Sequence, residues 1–179
     1  MAQELVWLDL EMTGLDPKRH RIIEIASIIT DSDLNIIAEG PDLVINAHDK
    51  ILERMNDFVH EMHHRSGLIE EVKKSKITIE EAEKQTLEFI EKHLGTKYRP
   101  PLCGNSIGTD RRFLDAQMNT LEHRLHYRVV DVTSIKELVK RWNPEINAIV
   151  PPKMETHRAL DDIIESINEL KFYRKHLFK

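Results

Sequence analysis

The stretch Leu5-Val6-Trp7-Leu8-Asp9-Leu10-Glu11-Met12 constrains this chain more than any other, because it sets two acids inside an apolar run. Successive side chains of a strand point to opposite faces. Val6, Leu8, Leu10 and Met12 then share one face, and Trp7, Asp9 and Glu11 share the other. Thr13-Gly14-Leu15-Asp16-Pro17 reads as the turn that ends the strand. The two carboxylates therefore project the same way, roughly 7 Å apart along the strand. An edge strand with two solvated acids would account for them, but the apolar run reads as a buried element. Burying like charges raises their pKa values and, without partners, costs on the order of several kcal/mol. A positive partner is expected beside them.

The chain has 179 residues, 40% hydrophobic and 32% charged, which suits one domain over residues 1–179 with a real core. No stretch approaches the ~18 consecutive apolar residues of a membrane span, so no membrane partner is expected. MAQELVWLDL lacks the basic start of a signal peptide and the Arg-rich look of a transit peptide. The single cysteine, Cys103, fits a reducing compartment. The expected location is the cytoplasm, with the mitochondrion the alternative for a chain whose transit peptide has been removed. A net charge of −5 argues against broad electrostatic binding of long nucleic acid, though not against a short, metal-anchored substrate.

Residues 21–30 and 35–46 read as second and third strands, joined by Asp31-Ser32-Asp33 into an antiparallel hairpin. Helical patterns cover 51–64 and, after Thr78 as cap, the run to Gly95. PLCGNS (101–106) reads as a fourth strand leading to a helix after Thr109, and RVVDVT (128–133) as a fifth. A helix over 134–142 stops before Pro144, a loop runs through PPKMET, and a long helix begins near His157. Three meandering strands, then strands alternating with helices, predict an α/β fold with a five-stranded mixed sheet flanked by helices.

Further acids stand at element ends. Asp110 in GNSIGTDRRF falls at a helix start, where the helix dipole alone would favour it. In HRALDDIIESINEL, Ala159, Leu160, Ile163, Ile164, Ile167 and Leu170 form one apolar arc at 100° per residue. Asp161 and Asp162 lie on opposite edges of that arc, so periodicity leaves both open. A competing motif is His60-Glu61-x-x-His64, which read literally makes a zinc metallopeptidase with Glu61 as base. With ten histidines in the chain such a match comes cheaply, and it leaves Asp9, Glu11 and Asp110 unexplained.

WLDLEMTGLD, GNSIGTDRRF, HYRVVDVTSIKEL and HRALDDIIESINEL together resemble the oligoribonuclease family. This is the small-RNA branch of the DEDDh-type 3′–5′ exonucleases, with a ribonuclease H-like fold. The likeness spans almost the whole chain in order, and MNDF…HHRSGL looks closer to eukaryotic members. The resemblance implies degradation of very short RNA, especially dinucleotides, to 5′-mononucleotides by two-metal-ion hydrolysis. It places the ligands of two Mg2+ or Mn2+ ions on Asp9, Glu11, Asp110 and Asp162, and the general base on His157. The family spacing H-x4-D selects Asp162 over Asp161. It further implies that Leu15 wedges at the terminal bases and that Phe58 stacks on a base, where the family more often has tryptophan. Ser106, Arg128, Thr133 and Ser134 match a phosphate cap for the 5′ end, His63 lies near the scissile phosphate, and Tyr127 reaches across a homodimer interface. Asp131 is no ligand in the family and is expected to be structural. The remaining alternatives are a non-catalytic RNA-binding module and a related exonuclease acting on longer RNA or DNA.

Overall fold

Alternating side chains give the first strand two different faces, and the rest of the chain assembles on them. The computed structural model describes residues 4–152 and 156–178. Strand β1 (Leu5–Met12) lies at the centre of a five-stranded sheet. β2 (Ile22–Thr30) and β3 (Ile36–Val44) form one wing, and β4 (Pro101–Gly104) and β5 (His126–Asp131) the other. β1 pairs antiparallel with β2, which pairs antiparallel with β3; β1 pairs parallel with β4, which pairs parallel with β5. The mixed sheet and the expected hairpin are both present.

One sheet face packs Val6, Leu8 and Leu10 with Ile25, Ile29 and Leu102. Helices α4 (Ile79–Leu94), α5 (Gly108–Gln117) and α6 (Asn119–Arg124) cover it with Ala82, Ile90, Phe113, Leu114 and Leu121. The other face packs Trp7 with Ala26, Ile28 and Cys103. It lies under α7 (Val132–Trp142) and α9 (Ala159–Leu177), through Val139, Ile163, Ile167 and Tyr173. Buried Trp7 satisfies its indole N–H on Thr30 Oγ1 at 3.0 Å. Asp9 and Glu11 continue the Trp7 row, so the alternation aims both acids at the α9 side of the sheet.

Several boundaries differ from the sequence expectation, each for a local reason. The helix expected over 51–64 is two, α1 (Asp49–Leu52) and α2 (Asp57–Arg65), because Asn56 caps a new start by accepting from the Val59 amide at 2.9 Å. Gly67, at φ 77°, turns the chain into α3 (Leu68–Lys74). The short α6 and α8 (Pro144–Ala148) were not anticipated, since five or six residues hold too little periodicity to be seen. The fifth strand occupies 126–131, and α7 starts at Val132 because Asp131 Oδ1 accepts from the Thr133 amide at 2.9 Å. Asp131 is thus a helix cap, as its structural reading implied. Of the expected PPKMET loop, Lys153, Met154 and Glu155 lie outside the described residues. Among the described residues, no helix is long and apolar enough to cross a membrane.

Candidate active site

β1 presents Asp9 and Glu11, and the first turn of α9 presents Asp162 opposite them. One ligand oxygen from each of these three residues lies within 4.8 Å of the others. The docking of α9 settles what periodicity could not: Asp161 is exposed, while Asp162 is half-buried beside the strand acids. Asp110 stands outside that close trio. It is buried in the first turn of α5, and its Oδ1 accepts from the Leu10 amide at 3.2 Å, on the stretch of β1 that runs past the end of short β4. That bond holds the fourth expected acid against the backbone between Asp9 and Glu11.

Burial is the largest influence on all three acids of β1 and α5, followed by their neighbours' charges. Asp9 is raised well above the ordinary carboxylate range by burial and by Asp110, Glu11, Asp162 and Glu24. Glu11 is pushed up to about 9 by burial, then Asp162, Glu24 and Asp110, with Arg158 opposing. Asp110 rises to about 7, its amide hydrogen bonds restraining a larger shift. Buried carboxylates that repel one another, all offering hard oxygen donors, fit a divalent cation of the Mg2+ or Mn2+ type.

His157 precedes Arg158, the residue that leads into α9, and has a left-handed backbone, φ 53°. His63 is the inward-facing residue of α2 and is fully buried. Its Nε2 lies 3.0 Å from the Met12 carbonyl, which can only accept, so Nε2 carries the proton. Nδ1 then turns its lone pair toward Glu11 Oε2 at 3.8 Å, without a hydrogen-bond partner. Burial chiefly lowers the pKa of this imidazole. The residues of the zinc-peptidase reading do not join the site: His60, Glu61 and His64 are exposed on α2, and Glu61 pairs with Arg65 at 3.7 Å.

Beside Glu11 opens a cleft of about 470 Å³, whose lining includes Met12, Gly14, Leu15, Phe58 and Met62. Leu15 and Phe58 are 70% and 74% exposed, so two large apolar side chains face solvent across one cleft next to the acids. The loop that carries Leu15 is braced by a residue the sequence did not single out. Gln117, at the end of α5, donates from Nε2 to the Pro17 and His20 carbonyls at 3.1 and 2.9 Å, and accepts from the Ile22 amide at 3.2 Å. Gly14 is required by close approach, since a Cβ there would lie 2.6 Å from the His20 ring. Neither Gln117 nor His20 carries a sequence signal, because their partners are fixed only by the folded loop.

At the ends of β4 and β5, Ser106 and Thr133 come together. The Ser106 amide donates to Thr133 Oγ1 at 2.9 Å and to Asp131 Oδ1 at 3.0 Å, and the two hydroxyls lie 3.0 Å apart. Ser134 is the exposed neighbour of Thr133. Arg128 stands over the Tyr127 ring, 5.5 Å from its centroid, and both side chains are exposed on β5, an edge strand. Of the residues expected to form the cap, Ser106 and Thr133 are thus brought together, while Arg128 contacts Tyr127 instead.

Comparison with known proteins supplies an independent finding. The RNase_T exonuclease family model matches residues 6–170. The oligoribonuclease of Marinobacter nauticus is 56% identical over 178 residues, covering 99% of this chain and 98% of that protein. The mitochondrial oligoribonuclease of Homo sapiens is 51% identical over 179 residues, covering 100% of this chain and 75% of that protein. Over the full length, then, the human relative is not the more similar of the two. Among solved structures, the zinc-bound form of the E. coli exonuclease I–single-stranded DNA complex matches with a TM-score of 0.74 at 15% identity. That match covers 99% of this chain and 41% of the other, so the chain spans about two fifths of exonuclease I and shares its ribonuclease H-like fold.

Proposed function

This chain belongs to the oligoribonuclease family of exonucleases, and from that premise we propose how its site works. It is a hydrolase, a 3′–5′ exoribonuclease acting on short RNA. The observation that carries the reading is the trio of Asp9, Glu11 and Asp162, of which Glu11 also lines the cleft walled by exposed Leu15 and Phe58.

Asp9, Glu11, Asp110 and Asp162 would hold two divalent ions, Mg2+ or Mn2+. Such ions, when bound, stabilise the attacking and leaving oxygens of an in-line displacement at phosphorus. His157 accepts on a ring nitrogen the proton of the attacking water, the task of a general base near neutral pH. The new P–O bond forms as the bond to the 3′-oxygen of the preceding nucleotide breaks. That oxygen takes a proton, and a 5′-mononucleotide leaves. Leu15 and Phe58 flank the terminal bases, and His63, with its Nδ1 lone pair toward the site, stands near the scissile phosphate.

Ser106, Arg128, Thr133 and Ser134 close around the 5′ end, which gives a dinucleotide preference: a longer chain would have to pass through the cap. The active unit is a homodimer in which Tyr127 completes its neighbour's site. Exposed Tyr127 and Val129 on β5, with exposed Leu138 and Trp142 on α7, support that reading. The whole is one exonuclease domain. Its proposed location is the cytoplasm, with the mitochondrion the alternative that the human relative's name favours. The test is a pair of substitutions one residue apart. Asp162→Ala should abolish metal-dependent cleavage of a dinucleotide, while Asp161→Ala keeps it; the reverse outcome would overturn the assignment.

A further inference from the structure

We infer that Arg158 is the positioning residue for His157, and that Glu71, outside the site on α3, sets where the imidazole stands by holding that arginine. The inference rests on His157 as the general base. A non-glycine residue with a left-handed backbone persists only where its surroundings over-determine it. His157, at φ 53°, is such a residue, and the segment that follows it is held from two directions.

From β2, Glu24 uses both carboxylate oxygens on this segment. Oε2 accepts from the Ala159 amide at 3.0 Å, and Oε1 accepts from Arg158 Nε at 2.9 Å. Arg158, the residue before α9, gives that helix no side-chain cap, so Glu24 serves as a cap supplied from another element. From α3, Glu71 meets the outer edge of the same guanidinium in a fork, Nη1 to Oε1 at 3.0 Å and Nη2 to Oε2 at 2.9 Å. Two parallel charge-assisted bonds fix orientation as well as distance, which a lysine could not do.

The chemistry also says what Arg158 is not. With Nε and both terminal nitrogens engaged by carboxylates, its guanidinium is committed to the clamp and not offered to a substrate phosphate. Glu24 is fully buried and sits opposite Glu11 in the strand register, so Arg158 neutralises an acid that would otherwise add to the charge of the site. Glu71 differs. Its side chain is 48% exposed, and α3 is anchored independently by buried Leu68, Ile69 and Val72. Removing the Glu71 carboxylate therefore frees the outer half of the clamp while leaving the Glu24–Arg158 pair and the core of α3 intact. The guanidinium can then pivot, and the backbone at His157 moves with it.

The test uses the full chain with Mn2+ and a dinucleotide, in single- and multiple-turnover assays of Glu71→Ala, Glu71→Gln, His157→Ala and the double variants. Glu71→Ala should lower kcat roughly 10- to 100-fold, the scale of small misplacements of a reacting group, with KM changed less than about twofold. Glu71→Gln, which keeps one acceptor oxygen, should fall between and guards against a misfolded alanine variant. In the His157→Ala background neither substitution should cost anything further, because the base they position is gone. Undiminished kcat in Glu71→Ala, a loss confined to KM, or an equal loss in both backgrounds would overturn the clamp while leaving the base assignment standing. Undiminished kcat in His157→Ala alone would instead overturn the base assignment, and with it the clamp's purpose.

Discussion

Glu11 and Asp110 report on the site through protons. In the folded, metal-free chain Glu11 is raised from 4.5 to about 9, and Asp110 from 3.8 to about 7. Between the unfolded and folded values the native state holds protons that the unfolded state has released. Stability of the metal-free protein should therefore fall as pH rises through about 4.5 to 9. Thermal unfolding in EDTA at pH 6 and pH 8 checks this; a higher Tm at pH 8 would be the wrong sign. Asp110→Asn, which removes one of the repelling charges, should raise Tm at pH 8 in EDTA while abolishing dinucleotide cleavage. The proposed role of Phe58 is tested at the same scale, in binding. Base stacking is worth about 1–3 kcal/mol per base, so Phe58→Ala should raise KM for a dinucleotide roughly five- to a hundredfold with kcat largely kept. An unchanged KM would remove Phe58 from the base site. Asp9, Glu11 and the turn after them were legible because strand alternation needs only the local sequence. The Arg158–Glu24–Glu71 clamp was not legible: its partners lie 134 and 87 residues apart along the chain.

At the scale of elements, β1 and α9 were readable in advance and their mutual docking was not. The apolar arc of α9 leaves Asp161 and Asp162 on opposite edges, and only the packing of Ile163 and Ile167 against the Trp7 face turns Asp162 inward. Short α3, α6 and α8 escaped notice because pieces of five to seven residues span fewer than two helical turns, too few to repeat an amphipathic pattern. The loop between β1 and β2 depends on a contact of this hidden kind. Gln117 from α5 holds it through the Pro17 and His20 carbonyls and the Ile22 amide. Gln117→Ala should increase amide hydrogen exchange across residues 14–21 and raise KM through a drifting Leu15, leaving exchange in the central sheet as it was. Unaltered exchange in that loop would mean that the brace is dispensable.

For the whole molecule, the sheet order and the packing on its two faces follow from alternation and helix placement, whereas the proposed assembly would rest on exposed side chains of β5 and α7. If Tyr127 completes a partner's site, two inactive variants should complement. Asp9→Ala and Tyr127→Ala chains, co-refolded, form mixed dimers in which one site has intact acids and an intact partner tyrosine. Activity should return at a fraction of the unsubstituted level; verified mixed dimers without activity would exclude a shared site. The central claim, which rests on the proposed site, is that this exonuclease is built for the shortest RNAs, with an acidic metal site, a base cleft and a phosphate cap that together would hold both ends of a dinucleotide. The most direct measurement is the initial rate on 5′-labelled RNAs of two to ten nucleotides with Mn2+ or Mg2+. The account predicts the highest kcat/KM at two nucleotides and a steep fall with each added residue. Rates that stay level or rise toward ten nucleotides would contradict it.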